Sequence, residues 1–165
     1  LFTPSMAWAS QGSLVAVINT GVYQVDLFDE GRLVRSIRRE VPPRPVTREM
    51  ALASLGEGMR VRTAGGELLC DPSEVVDAQG YEPFLPILSE VALAPDGTLW
   101  VRRYALGDEP AQVDVFDADG RYMGTVDDSA LFPVAFLPDG RILAAEEDAL
   151  GVQRLVARSV AFEEH

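Results

Sequence analysis

Asn19, Arg102, Arg103, Glu146 and Glu147 are the side chains whose types and placement offer the best prospect of chemistry. A guanidinium beside carboxylates orients a polar ligand through charge-assisted hydrogen bonds. Clustered carboxylates, here Glu146 and Glu147 followed by Asp148, hold a divalent ion through oxygen ligands. The opposing reading is that these are solvated loop charges in weak surface pairs. Asp96, Asp119 and Asp139 each precede a glycine, and turn chemistry accounts for them without a metal. Cys70 is the one cysteine and His165 the one histidine. A CxxC site is therefore excluded, and a Cys–His pair or Ser-His-Asp triad would have only the last residue to draw on. No GxSxG elbow, P-loop, HExxH or EF-hand pattern occurs. No cofactor is expected, a divalent cation at the loop carboxylates being the single candidate.

The elements that must position these residues repeat. Residues 91–126 read as one four-stranded antiparallel sheet: an apolar run, a Pro-Asp-Gly turn, a second run through Leu99 and Val101, a polar loop, then Val113–Phe116, Asp119-Gly120 and 122–126. Asp-Gly between such runs is a strong hairpin signal, because glycine takes the positive φ of the turn. The same unit recurs. Residues 9–15 align with 94–100 at an offset of 85, and 95–99 with 138–142 at an offset of 43. Val25-Asp26-Leu27-Phe28 likewise matches Val113-Asp114-Val115-Phe116. Four strands per period of roughly 40–45 residues is the pattern of β-propeller blades.

The fold expected is therefore all-β, a partial β-propeller of about three four-stranded blades in a single domain. Blade one covers 3–39, blade two 89–128 and blade three 131–162, the last with only three strands. Residues 40–88 break the pattern and read as a short α-helical insert. Thr47 is placed to cap a helix that stops at Gly56, and Asp71-Pro72-Ser73-Glu74 is placed to open a second. A degenerate extra blade, with strands from residues 60–70, is the competing reading of this segment. Alternating connections put 19–21, 102–110 and 146–151 on one face under the 40–88 lid, with the turns at 95–97 and 138–140 on the other. Trp8 and Trp100 are expected to pack blade against blade.

Charge limits the partners. The chain has 26 acidic against 14 basic residues, a net charge of −12, and every base is arginine. So acidic a chain repels phosphate backbones, which argues against nucleic acid. No run approaches the roughly 18 apolar residues of a membrane span.

In the segments 25–47, 85–104, 113–126 and 148–160 the chain resembles bacterial six-bladed β-propeller proteins of the NHL-repeat and TolB-like kind. The resemblance implies the C-terminal half of a ring, since the chain opens on Leu1 and its last blade lacks a strand. Missing N-terminal blades or a second copy would then close it. It also suggests an extracytoplasmic location. Some propellers of this kind are metal-dependent lactonases that hold an ion with Glu, Asn and Asp, and Asn19 is the only asparagine here. The function expected is a non-enzymatic binding scaffold for a protein or small-molecule ligand on the lidded face. The alternative is a metal-dependent hydrolase using Glu146 or Glu147.

Overall fold

In the computed structural model, the chain is described over residues 1–107, 109–126, 132–147 (backbone only at 147) and 150–160. These residues form four antiparallel sheets and two short helices. Strands β1 (Met6–Gln11), β2 (Leu14–Asn19), β3 (Gln24–Asp29) and β4 (Arg32–Arg38) make the first sheet in simple meander order. After α1 (Arg48–Ser54), strands β5 (Met59–Thr63) and β6 (Gly66–Cys70) form a hairpin, and α2 (Pro72–Gln79) follows. The second four-stranded sheet is another meander, of β7 (Leu88–Leu93), β8 (Leu99–Arg103), β9 (Val113–Phe116) and β10 (Tyr122–Val126). Strands β11 (Pro133–Phe136), β12 (Ile142–Glu147) and β13 (Gln153–Arg158) make a three-stranded third sheet.

Residues 40–88 thus combine features of both readings of that segment. Two helices form, and a two-stranded hairpin lies where the helical reading put a loop. Local chemistry explains each piece. The Thr47 hydroxyl accepts from the Met50 amide at 3.2 Å and Asp71 accepts from the Ser73 amide at 2.8 Å, satisfying helix-start donors that lack partners. Thr-Ala-Gly-Gly at 63–66 supplies the tight turn of the hairpin.

The three larger sheets stack face to face, because alternation gives each strand two apolar faces. Ala16, Ile18, Val25, Leu27 and Ile37 of the first sheet meet Leu88, Val91, Leu93, Leu99, Val101 and Phe116 of the second in one core. The opposite face of the second sheet, with Trp100, Val113 and Val115, meets Ile142 and Phe136 of the third. Trp100 is 4% exposed and stacks sheet on sheet as expected, its ring centroid 6.5 Å from that of Phe136. Trp8 does not: it is 68% exposed on the face of the first sheet that points away from the second.

Close packing at the turns fixes how the sheets meet. Gly120 has φ +76°, and a Cβ there would sit 2.9 Å from Arg35 Cδ and 3.1 Å from Ile37 Cδ1. Arg35 also donates to the Ala118 carbonyl at 2.5 Å. Gly120→Ala is expected to cost roughly 1–2 kcal/mol for the left-handed backbone, with a further loss from pushing Ile37 aside. Gly12→Ala, at φ +61° with no atom within 4 Å of the new Cβ, is the control carrying the backbone penalty alone. Urea midpoints of the two variants separate these contributions.

Candidate functional site

Three connections converge at one end of the first two sheets. The Thr20 carbonyl, after β2, accepts from the amides of Ile87 and Leu88, just before and at the start of β7, at 2.7 and 3.1 Å. The Ile87 carbonyl accepts from the Tyr104 amide, just after β8, at 3.0 Å. Arg44, on the approach to α1, pairs with Glu109 at 2.7 Å. The Pro83 and Arg44 carbonyls accept from the Val46 and Leu85 amides, so the two ends of the 40–88 segment run together. Backbone pairing thus assembles this end, and the side chains follow from it.

At its centre lies Asp114, fully buried in the middle of β9. Arg103 reaches it bidentately, Nε to Oδ2 and Nη2 to Oδ1, both at 2.9 Å. Tyr23 donates its hydroxyl to Oδ2 at 2.5 Å, across from the first sheet. Thr125, directly opposite on β10, donates to Oδ1 at 2.5 Å. Arg39 Nη1 lies 3.0 Å from Oδ1, a charge contact outside hydrogen-bond alignment, and its guanidinium stacks 4.3 Å from the Tyr122 ring centroid. A lone carboxylate could not be buried this deeply. Two guanidiniums and two hydroxyls satisfy it. Burial by itself would raise its pKa, but the donors from Arg103, Thr125 and Tyr23 outweigh that and hold the carboxyl below its ordinary range. Burial, and then the bond to Asp114, push the Tyr23 phenol in the opposite direction, well above its ordinary value.

Beside this network opens a cleft of about 320 Å³. Val41, Pro42, Leu85, Ile87 and Pro110 give it an apolar wall, and Arg44, Arg103, Tyr104, Glu109 and Gln112 give it a polar one. Arg103 spends part of its guanidinium on Asp114 and donates from Nη1 to Gln112 Oε1 at 2.6 Å. Arg44 is roughly half exposed at the mouth, and Glu109 is held below the ordinary carboxylate range by its bond to Arg44 and by the Leu106 amide. A neighbouring depression, sharing Val41, Pro42 and Ile87 with the cleft, adds Arg38 and Arg39. This end of the molecule is therefore rich in arginine although the chain is acidic overall.

The residues singled out from sequence separate in space. Arg103 belongs to this site. Arg102, its neighbour on β8, points to the opposite face of the sheet, where it pairs with Glu90 at 2.7 Å and lies 5.7 Å from the Phe132 ring centroid. Asn19 accepts from the Gly21 amide at 2.9 Å and so shapes the turn into Tyr23. Glu146 is taken by Arg158, whose Nε lies 3.0 Å away on the adjacent strand. The Glu147 side chain and Asp148 fall outside the described residues. Among the described residues no group of three or more His, Cys, Asp or Glu gathers closely enough to hold a metal ion. Sequence reasoning passed over Asp114, Tyr23, Arg39 and Thr125. One signal pointed to Asp114, a charge inside the apolar run VDVF.

No protein-family model matches the chain, and no curated protein matches it. Among solved structures it is similar to Kuenenia stuttgartiensis Hydrazine Synthase at 18% sequence identity and a TM-score of 0.30. That match covers 89% of this chain and 45% of the other, so the chain spans less than half of the protein it matches. A likeness at that TM-score carries no argument about fold or activity.

Proposed function

We propose that the chain is a non-enzymatic binding scaffold, built as a partial β-propeller, which receives a small ligand in the cleft beside Arg44 and Arg103. The propeller reading is supported by the repeat in sequence and by three successive meander sheets stacked face to face. Under it, the sheets β1–β4, β7–β10 and β11–β13 are consecutive blades. The β5–β6 hairpin and the two helices are an insertion in a crossover.

The observation that carries the binding reading is the cleft itself. An apolar wall of proline, valine, leucine and isoleucine stands against two arginines, Arg103 fixed by the buried Asp114 and Arg44 paired with Glu109 at the mouth. Its volume falls at the lower end of the range usual for small-molecule sites. Prepositioned guanidiniums next to an apolar wall suit a compact ligand with an acidic group and a hydrocarbon or aromatic body. Ordering Arg103 in advance leaves less entropy to lose on binding.

A panel of aliphatic and aromatic carboxylates, followed by thermal denaturation, tests this. A ligand at about 100 times its Kd stabilises by about 2.7 kcal/mol, which is roughly 5–10 °C in a chain of this size. Arg44→Gln, at a half-exposed position, is expected to abolish the rise while leaving the unliganded melting temperature nearly unchanged. The reading fails if no carboxylate raises the melting temperature, or if the rise persists in Arg44→Gln.

A further inference from the structure

The buried face of the second sheet has a twin that is open. In the second sheet Val91, Leu99, Val101, Asp114 and Phe116 share one face, and the first sheet covers it completely. The register of the first sheet places Trp8, Val15, Val17, Asp26 and Phe28 in the same positions on its own corresponding face. Asp26 stands opposite Val17 as Asp114 stands opposite Val101. Ser36 donates to Asp26 from the next strand at 2.5 Å, as Thr125 donates to Asp114. On the first sheet, however, nothing else among the described residues covers this set. Trp8 is 68% exposed, Leu33 57% and Met6 73%, while Val15, Val17, Asp26 and Phe28 are only half buried. Among the described residues Asp26 has donors from Gln24 and Ser36, without the tyrosine and arginines that the first sheet and Arg103 supply to Asp114.

Among the described residues, the third sheet is open on the opposite side. Leu143, Ala145, Leu155 and Ala157 line its outer face and correspond by register to Ala16, Ile18, Val25 and Leu27, the residues with which the first sheet covers the second. Leu155 is 66% exposed. Gln153, two residues before Leu155 on the same face, occupies the position of Tyr23, two residues before Val25. Tyr23 is the residue that delivers a hydroxyl to the buried aspartate. Gln153 carries an amide N–H₂ that can donate in the same way.

Each chain therefore presents one uncovered acceptor face and one uncovered donor face, of the two kinds that already stack twice within it. We propose that the open face of the β1–β4 sheet is an interface for a second copy of this chain, which docks the outer face of its β11–β13 sheet there and sets Gln153 over Asp26. The contact is heterologous: it joins unlike faces, so two copies close on each other or further copies add in series. The inference rests on the stacking and register of the sheets and is independent of the ligand-binding reading.

Light scattering over a dilution series of the wild-type chain comes first. A molar mass that rises above that of one chain with concentration is expected, and a single-chain mass up to roughly 100 μM, about 5–6 kcal/mol of association, overturns the proposal. Two variants then identify the faces. Trp8→Arg blocks the first face and Leu155→Arg the second, each at an exposed position, with folding checked by far-ultraviolet circular dichroism. Each alone is expected to stay at the single-chain mass. Mixed, they are expected to form a one-to-one complex, since one retains a good donor face and the other a good acceptor face. Association that survives either substitution, or a mixture that stays monomeric, overturns the pairing of these faces.

Discussion

Asp114→Ala is expected to lower the unfolding free energy by roughly 3–5 kcal/mol, the range for removing one partner of a buried charge network. The loss goes beyond the missing bonds. Arg103 keeps its place beside β9 and Arg39 its place over Tyr122, so two guanidiniums are left facing each other without the carboxylate between them. Tyr23 also loses the acceptor for its buried hydroxyl. Asp26→Ala makes the informative comparison, measured at a dilution where the chain is monomeric. It removes the same residue type from the equivalent register position, where solvent reaches the site, and is expected to cost under about 1 kcal/mol. Urea unfolding of the two variants measures the difference.

The same network sets a pH profile with two arms. The Asp114 carboxyl is held lower in the folded chain than in the unfolded one. Below the ordinary carboxylate value of about 3.9, the unfolded chain binds its proton first, and stability present at neutral pH is lost as pH falls. Tyr23 behaves oppositely, since its phenol is raised on folding. Above about pH 10 the unfolded chain releases its proton first, and stability falls as pH rises. The unfolding midpoint should therefore be flat through neutrality and decline at both ends. Tyr23→Phe should weaken the alkaline arm, leaving a remainder from Tyr104, which burial also raises. Asp114→Ala should weaken the acid arm, leaving the smaller share of exposed carboxylates such as Asp71 and Asp139.

Trp100→Ala is expected to cost roughly 3–5 kcal/mol, the range for a buried large aromatic. Trp100 is the broadest apolar surface between the second and third sheets, in contact with the group that holds Phe136 and Ile142. With three strands, the third sheet depends on that contact more heavily than a full meander would. Limited proteolysis of the variant should accordingly cut first within 132–160 while the first two sheets stay protected. Trp8→Ala under the same dilute conditions should stay within about 0.5 kcal/mol of the wild type, because its ring faces solvent.

The strands and turns were legible in the residues because their causes are local. Asp-Gly at 96–97, 119–120 and 139–140 demands a turn wherever it stands, and alternating apolar residues demand two faces. Thr47 and Asp71 announce helix starts by the reach of one side chain to an amide two or three residues on. The hairpin at 59–70 was harder to place, because both strands are short and largely exposed, and Gly-Glu-Leu-Leu-Cys breaks the alternation that Met-Arg-Val-Arg-Thr shows. The neighbouring arginines illustrate the limit: Arg102 and Arg103 look like one basic pair in the chain, yet the pleat sends them to opposite sheets.

The two aspartates mark the boundary most clearly. Val25-Asp26-Leu27-Phe28 and Val113-Asp114-Val115-Phe116 are nearly the same four residues, in the third strand of their sheets, each aspartate with a hydroxyl residue opposite, Ser36 and Thr125. By itself the sequence determined that both would be strands, each with one carboxylate among apolar residues. Only the tertiary structure decided that Asp114 is sealed under two arginines and a tyrosine while Asp26 is not. Burial of a charge depends on which other sheet lies over it, and that is a property of the stacking order and not of the strand.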